Sequence, residues 1–186
     1  YRAVTLKALE NNFDLEDESK FDFIYHTKFE FVGDHLYLDG IDISERVRNH
    51  DVSNNVSLVS SYLSVRQELV KVQQKMALSD NVVMDGRDIG TVVFPEAELK
   101  IFMTANPEIR AQRRYDELKK NGVHVNFSEV LHNLKERDYI DSNRETSPLS
   151  RAEDAITLDN SAMTREEQAR LALAWAKGVI KALSTS

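Results

Sequence analysis

The chain has 186 residues, 41% hydrophobic and 30% charged, which allows one substantial core, or one core with a small inserted lobe. Lys+Arg 24 against Asp+Glu 31 leave a net charge of −7, which argues against general binding along a nucleic-acid backbone, and no apolar run approaches the roughly 20 residues of a membrane span. The absence of cysteine excludes disulfides, zinc-thiolate sites and a cysteine nucleophile, the five histidines fall at no metal-ligand spacing, and with no signal peptide or anchor visible the cytoplasm is expected.

At the start of the chain, "YRAVTLKALENN" sets Val4 and Ala8 four apart and Leu6 and Leu9 three apart, which predicts a short helix stopped at Asn11-Asn12. The acidic "LEDESKFDF" reads as loop. "KFEFVGDHLYLDGIDI" alternates apolar and polar residues around Gly33-Asp34 and Asp39-Gly40, the pattern of a small antiparallel ribbon, and marks residues 22–50 as an inserted lobe. Residues 43–78 return to helical spacing, with a break expected near "HDVSNN". "NVVMDG" and "ELKIFMTA" have the length of buried parallel strands, with the first ending at Met84. Helices follow at "PEIRAQRRYDELKKNG", stopped by Asn121-Gly122, and at "NFSEVLHNLKERDYIDSNR". "DAITLDN" is a third short strand, and "TREEQARLALAWAKGVIKAL" is an amphipathic closing helix with Thr164 as cap and Glu167 three positions on. Strands alternating with helices imply an α/β fold with a parallel sheet and ligands at the carboxyl ends of its strands.

Three groups of residues could carry chemistry. A strand ending at Met84 puts Asp85, Gly86, Arg87 and Asp88 where open α/β sheets bind ligands, and carboxylates so placed hold Mg²⁺ through water beside nucleotide phosphates. The same stretch reads equally as a turn with Arg87 paired to Asp88. Arg110, Arg113 and Arg114 lie within about one turn of a helix, and Arg137, Asp141 and Arg144 follow at spacings of four and three, which stacks cation, anion and cation on one helical stripe. Such forks suit phosphate oxygens; the plainer reading is ion pairing along helix faces, with Arg113 reaching Asp116 and Glu117. Ser57 and Arg66 form a fainter third group, which by itself belongs to an amphipathic helix.

Taken in order, "YRA", "VSNNVSLVSSYLSVR", "MDGRDIGTVVFP", "IRAQRRYDEL", "KERDYIDSNRETSPL" and "AEDAITLDNSAMT" resemble the bacterial cytidylate kinases, nucleoside monophosphate kinases related to adenylate and uridylate kinases. The resemblance covers nearly the whole chain. It implies a parallel-sheet core like that of P-loop NTPases, a small β-lobe over the monophosphate and a helical lid at residues 110–147, all in one kinase domain. It further implies ATP-dependent transfer of a phosphoryl group to CMP and dCMP. By resemblance, Ser57, Arg66 and Asp88 read the cytosine base, Arg137 and Asp141 hold the ribose, and Arg2, Arg87 and Arg144 lie near the substrate phosphate. Arg110, Arg113 and Arg114 match lid arginines facing the ATP phosphates, and Asp85 matches the carboxylate behind Mg²⁺. The implied partners are ATP, CMP and dCMP, with no nucleic acid or membrane, and a monomer is expected.

One family feature has no counterpart. The phosphate-binding loop G-x-x-x-x-G-K-[ST] is matched nowhere, since none of the six glycines precedes Lys-Ser or Lys-Thr. The chain opens on Tyr1 rather than methionine, so the loop and its strand are expected upstream of Tyr1, and uncovered apolar faces are expected without them. The alternatives weighed are a non-catalytic nucleotide-binding remnant and a kinase of the same architecture for UMP, AMP or a small alcohol. An RNA-binding module is disfavoured by the acidic balance and the lack of an aromatic platform.

Overall fold

The computed structural model describes residues 1–78 and 81–185. The chain divides into two compact units: Tyr1–Asp85 with Arg144–Pro148, and Gly86–Asn143 with Leu149–Ser186.

The first unit is built on α1 (Arg2–Glu10), which buries residues on two sides. Val4 and Ala8 pack with Phe21, Ile24, Val59, Val65 and Leu69, while Ala3 and Leu6 pack with Leu38, Ile43, Val47 and Val52. The acidic segment expected as loop is instead the 3₁₀ helix Glu18–His26, capped by the Asp17 carboxylate accepting from the Ser19 amide. Its two buried side chains, Phe21 and Ile24, are three residues apart, and a 3₁₀ helix superposes i and i+3. The segment's charges stay on the outer side, which is why composition alone suggested loop.

The expected ribbon is present as β1 (Phe29–Val32), β2 (His35–Leu38) and β3 (Ile41–Asp42), antiparallel in that order, with Phe29 opposite Leu38 and Leu38 opposite Ile41. Asp39 and Gly40 at the β2–β3 corner have φ of +51° and +82°, the pair of positive angles a type I′ hairpin turn requires. Asp39 tolerates that angle while its carboxylate accepts from the Lys28 amide and from Lys7 Nζ of α1. The ribbon is thereby tied to α1.

α2 (His50–Val59) and α3 (Leu63–Met76) follow. The break expected near "HDVSNN" falls at Asn49, between the 3₁₀ turn Arg46–Arg48 and α2, and a second break at residues 60–62 separates α2 from α3, while "HDVSNN" itself lies within α2. Asp51 favours the positive end of α2, and the Asn55 amide bonds back to the Asp51 carbonyl at 2.9 Å, so these polar residues support the first turns instead of breaking them. The strand expected at "NVVMDG" is also absent: residues 81–85 form no strand, and Val83 is fully exposed. An apolar run becomes a buried strand only where a neighbouring backbone takes its N–H and C=O groups, and none of the described strands pairs with this one.

The second unit holds β4 (Ile101–Thr104) and β5 (Ile156–Asp159), paired in parallel with Ile101 opposite Ile156 and Thr104 opposite Asp159. Ile101 and Phe102 are half-buried and Met103 is exposed, so β4 is half-covered rather than the buried strand its apolar run suggests. α4 (Pro107–Lys120) starts on Asn106, whose side chain accepts from the Glu108 and Ile109 amides, with proline at the first position. α5 (Phe127–Asn143) packs on α4 through Ala111, Val130 and an edge-on Tyr115–Phe127 contact with ring centroids 6.2 Å apart. α6 (Arg165–Leu183) opens with the expected Thr164–Glu167 capping box. It buries no residue, and Leu173, Ile180 and Leu183 are exposed. Among the described residues no helix is long and apolar enough to cross a membrane.

Candidate active site

The first unit carries Arg2, Ser57, Arg66, Asp85 and Arg144. Arg2 opens α1, where Nη1 donates to the Val47 carbonyl and to Ser53 Oγ of α2, each at 3.0 Å. Ser57 lies buried on α2 and Arg66 is buried on α3, an expensive place for a charge unless several partners answer it. Arg66 Nη1 donates to the Ser60 carbonyl at 2.8 Å, and its guanidinium carbon lies 5.2 Å from the centre of the Tyr1 ring. Ser60 Oγ in turn donates to the Ser57 carbonyl at 3.0 Å.

Arg144 corrects the helical stripe read from spacing. α5 ends at Asn143, so Arg137 and Asp141 share the helix but Arg144 does not. It turns instead into the short segment of the first unit, with Nε donating to the Ser147 carbonyl at 2.8 Å and Nη1 to Ser60 Oγ at 3.4 Å. Helical spacing places side chains on one face only while the helix lasts. Asp85 is exposed, and the strand that was to present it is missing.

The second unit carries Arg87, Asp88, Arg110, Arg113, Arg114, Arg137 and Asp141. Gly86 opens the turn, and a Cβ there would come within 2.8 Å of the Ile89 side chain, so the close approach admits glycine alone without a shift. Arg87 is paired not with its neighbour Asp88 but with Asp141, Nε to Oδ2 at 2.7 Å. Asp88 is buried, and its carbonyl accepts from the Val92 and Val93 amides of the π-helical turn Ile89–Val93.

On the α4–α5 pair, Arg110 makes a two-point fork with Asp138, Nη1 to Oδ2 at 2.6 Å and Nη2 to Oδ1 at 3.1 Å. Arg113 does not reach Asp116 or Glu117. It crosses to the loop after β5, donating to Asn160 Oδ1 at 3.0 Å and to the Asn160 and Met163 carbonyls at 2.8 and 3.3 Å. Arg114 takes Glu117 at 2.8 Å. Arg137 has its Nε buried without a hydrogen-bond partner. Burial first, and then the charge of Arg87, holds its guanidinium below the usual arginine range, with Arg114 adding to this and Asp141 and Asp138 opposing it. Three guanidinium groups thus share one neighbourhood of the second unit, an arrangement that an anion would relieve.

Two residues in these networks carry no signal of their own in the sequence. Ser60 is one serine among several at the end of α2. Asp138 is hidden by its neighbour Arg137, although its acidic charge between two arginine-bearing helices is what the arginine cluster needs. A cavity of about 440 Å³ lined by Tyr115, Lys119, His124, Asn126 and Glu129 at the α4–α5 connection includes none of the expected site residues.

The model of one protein family, cytidylate kinase, matches residues 1–177. The chain belongs to the cytidylate kinase family. A cytidylate kinase of Flavobacterium psychrophilum is 46% identical over 185 residues, covering 93% of this chain and 81% of its own length. One from Caldanaerobacter subterraneus subsp. tengcongensis is 49% identical over 168 residues, covering 90% of this chain and 75% of its own. A cytidylate kinase of Bacteroides fragilis is 46% identical over 192 residues and covers 98% of this chain and 84% of its own. The P-loop NTPase class expected for a cytidylate kinase agrees with the α/β build of the second unit, whose two strands are parallel. The family is one of phosphotransferases, so the chain is an enzyme of nucleotide metabolism by descent.

Proposed function

We propose that the protein catalyses ATP-dependent phosphorylation of CMP and dCMP to CDP and dCDP. Beyond family membership, the observation that carries this reading is the 2.7 Å pair between Arg87 of "DGRDIG" and Asp141 of "RDYIDSNR". The two motifs most specific to the family are joined by a charge-assisted hydrogen bond, so both arginine-bearing segments are held in a defined arrangement rather than displayed as loose surface charge.

In this reading Ser57, Arg66 and Asp88 read the base. Arg137 and Asp141 hold the ribose, and Arg2, Arg87 and Arg144 take the substrate phosphate. Arg110, Arg113 and Arg114 are the candidates for the ATP phosphates, and their present bonds rank them. Arg113 is committed to loop carbonyls and Arg110 to a fork with Asp138, whereas Arg114 pairs with Glu117 on its own helix, an exposed pair that exchanges readily. Arg114 is therefore the lid arginine assigned to ATP.

The reaction needs no covalent enzyme intermediate. A phosphate oxygen of CMP attacks the γ-phosphorus of ATP in line, a P–O bond forms there, and the bond to the bridging oxygen breaks as ADP leaves. The acceptor phosphate is largely ionised at neutral pH, so no general base is required. Arginine forks supply fixed positive charge to the oxygens on which negative charge gathers. Closure of the α4–α5 lid would exclude water and so suppress hydrolysis of ATP.

Mg²⁺ would neutralise the triphosphate. No group of three or more metal-binding side chains occurs among the described residues, and Asp85 offers one exposed hard carboxylate. That fits an ion held chiefly by phosphates and met by the protein through water at Asp85. The same reading takes the enzyme to be cytoplasmic and monomeric.

The test is ADP formation from ATP with CMP, dCMP, UMP and AMP in turn. Turnover with CMP and dCMP well above UMP and AMP supports the assignment. Equal turnover with all four, or preference for AMP, overturns it.

A further inference from the structure

The turn that presents Arg87 and Asp88 rests on a lysine that the proposed reaction leaves unused. Asp88 is followed by the π-helical turn Ile89–Val93, a rare backbone form. Its hydrogen bonds run back toward the site: the Asp88 carbonyl accepts from the Val92 and Val93 amides at 2.9 and 3.2 Å, and the Ile89 carbonyl from the Phe94 amide at 2.7 Å. A shift at the Pro95 end of this stretch is therefore carried to Asp88 through the backbone. Lys100, the residue before β4, lies against the turn with its side chain only 8% exposed. Its stem meets Gly90, where an added Cβ would lie 3.3 Å from Lys100 Cδ and 3.4 Å from Cγ. Nζ donates to the Pro95 carbonyl and pairs with Asp154 Oδ2 at 2.7 Å. The backbone end is fixed as well, since the Lys100 carbonyl accepts from the Ile156 amide of β5 at 2.9 Å. A methionine would fill the same space without the cost of withdrawing an ammonium from water. What the ammonium adds is the two bonds.

We infer that Lys100 is a positioning residue for CMP, a strut from the β4–β5 pair that fixes the turn carrying Arg87 and Asp88. The inference rests on the CMP reading and deepens it. In that reading Arg87 takes the phosphate and Asp88 the cytosine, so a loosened turn weakens any nucleoside monophosphate through Arg87 and CMP further through Asp88. The physical cause is pre-organisation: a turn held in its binding geometry loses less freedom when the ligand arrives. Lys100 touches no substrate in this account and acts only through the backbone it holds, by its stem at Gly90 and by its ammonium at Pro95.

The experiment measures CMP and UMP binding to the full chain by calorimetry, with thermal melts, for the wild type, Lys100→Met, Lys100→Ala, Gly90→Ala and the Gly90→Ala/Lys100→Ala double variant. Lys100→Met keeps the bulk of the stem and removes both bonds; it should weaken CMP about 10-fold and UMP about 3-fold, the scale of one or two net hydrogen bonds. Gly90→Ala leaves every ion pair in place and crowds the stem, so it should narrow the CMP to UMP preference in the same direction. Once Lys100→Ala has removed the stem, Gly90→Ala should add nothing further. A lower melting temperature with an unchanged CMP to UMP ratio would make Lys100 a purely structural residue and overturn the inference. Wild-type binding by Lys100→Met, or additive effects in the double variant, would overturn it too. If Lys100→Met does not fold, the CMP to UMP ratio in Gly90→Ala decides, and an unchanged ratio there overturns the strut. Wild-type protein that binds UMP as tightly as CMP removes the substrate reading itself and the inference with it, a failure recognised because no variant is involved.

Discussion

Arg87 Nε donates to Asp141 Oδ2 at 2.7 Å, and the two side chains differ sharply in exposure, 41% for the arginine and 5% for the aspartate. The carboxylate has given up most of its water and the guanidinium has not. Removing one partner is therefore not equivalent to removing the other.

Arg87→Ala leaves a desolvated carboxylate with one charged partner fewer, and should cost about 3 kcal/mol of stability, the lower end for breaking a buried pair. Asp141→Asn keeps the shape of the buried end and lets Arg87 hydrate, so it should cost about 1 kcal/mol. Urea unfolding of both variants reads the difference directly. Equal losses would mean that Asp141 is not the buried anchor of the pair.

The same aspartate is assigned to the ribose. Asp141→Ala should then impair CMP and dCMP unequally, because only CMP carries the 2′-hydroxyl. Comparing kcat/KM for the two substrates in wild type and variant checks this; an unchanged CMP to dCMP ratio removes Asp141 from the sugar.

Arg110 and Asp138 fork together between α4 and α5, both partly exposed. A double-mutant cycle using Arg110→Leu and Asp138→Leu should give a coupling energy of about 1 kcal/mol, above the median for surface pairs because the contact is two-pointed. If Arg110 also served ATP, the single variants would differ in KM for ATP by more than their stabilities do.

Arg113 spans Asn160, Ser161 and Met163 with one guanidinium, which a lysine ammonium cannot reproduce from a single position. Arg113→Lys and Arg113→Ala should both lose about 1–2 kcal/mol in thermal or urea unfolding. Full stability in the lysine variant would show that charge alone, not the fork, serves that loop.

Asp42 has its carboxyl held down to about 2, from an ordinary 3.8, by hydrogen bonds from the Ser44 hydroxyl and amide and after them from His35. A carboxyl depressed by folding contributes fully above its unfolded pKa, and that contribution is lost as the pH falls through the folded value. The β2–β3 corner should therefore weaken below about pH 4. An NMR titration of the Asp42 carboxyl reads this, and Ser44→Ala should move its midpoint upward. An unmoved midpoint would show that Ser44 is not the cause.

Most element types were legible in the sequence because their causes are local. α1, α4, α5 and α6 follow from apolar spacing and end signals within their own residues, and the capping box needed only Thr164 and Glu167. The ribbon followed from alternation around Asp39-Gly40. The failures share the opposite cause. "NVVMDG" has the composition of a strand, but pairing depends on a neighbour that its own residues do not specify. The Glu18–His26 helix hid its two buried residues among charges.

The candidate site divides along the same line. The sequence by itself determined which residue types were present, in which order, and the family they resemble; that much is carried by chemistry and spacing along the chain. Only the tertiary structure decided the pairings: Arg87 chose Asp141, 54 positions away, over the adjacent Asp88, Arg144 left the helical stripe for Ser60, and Arg113 crossed to Asn160. Hydrogen bonds and charge pairs act over a few ångströms of space, and the fold alone sets which side chains come that close.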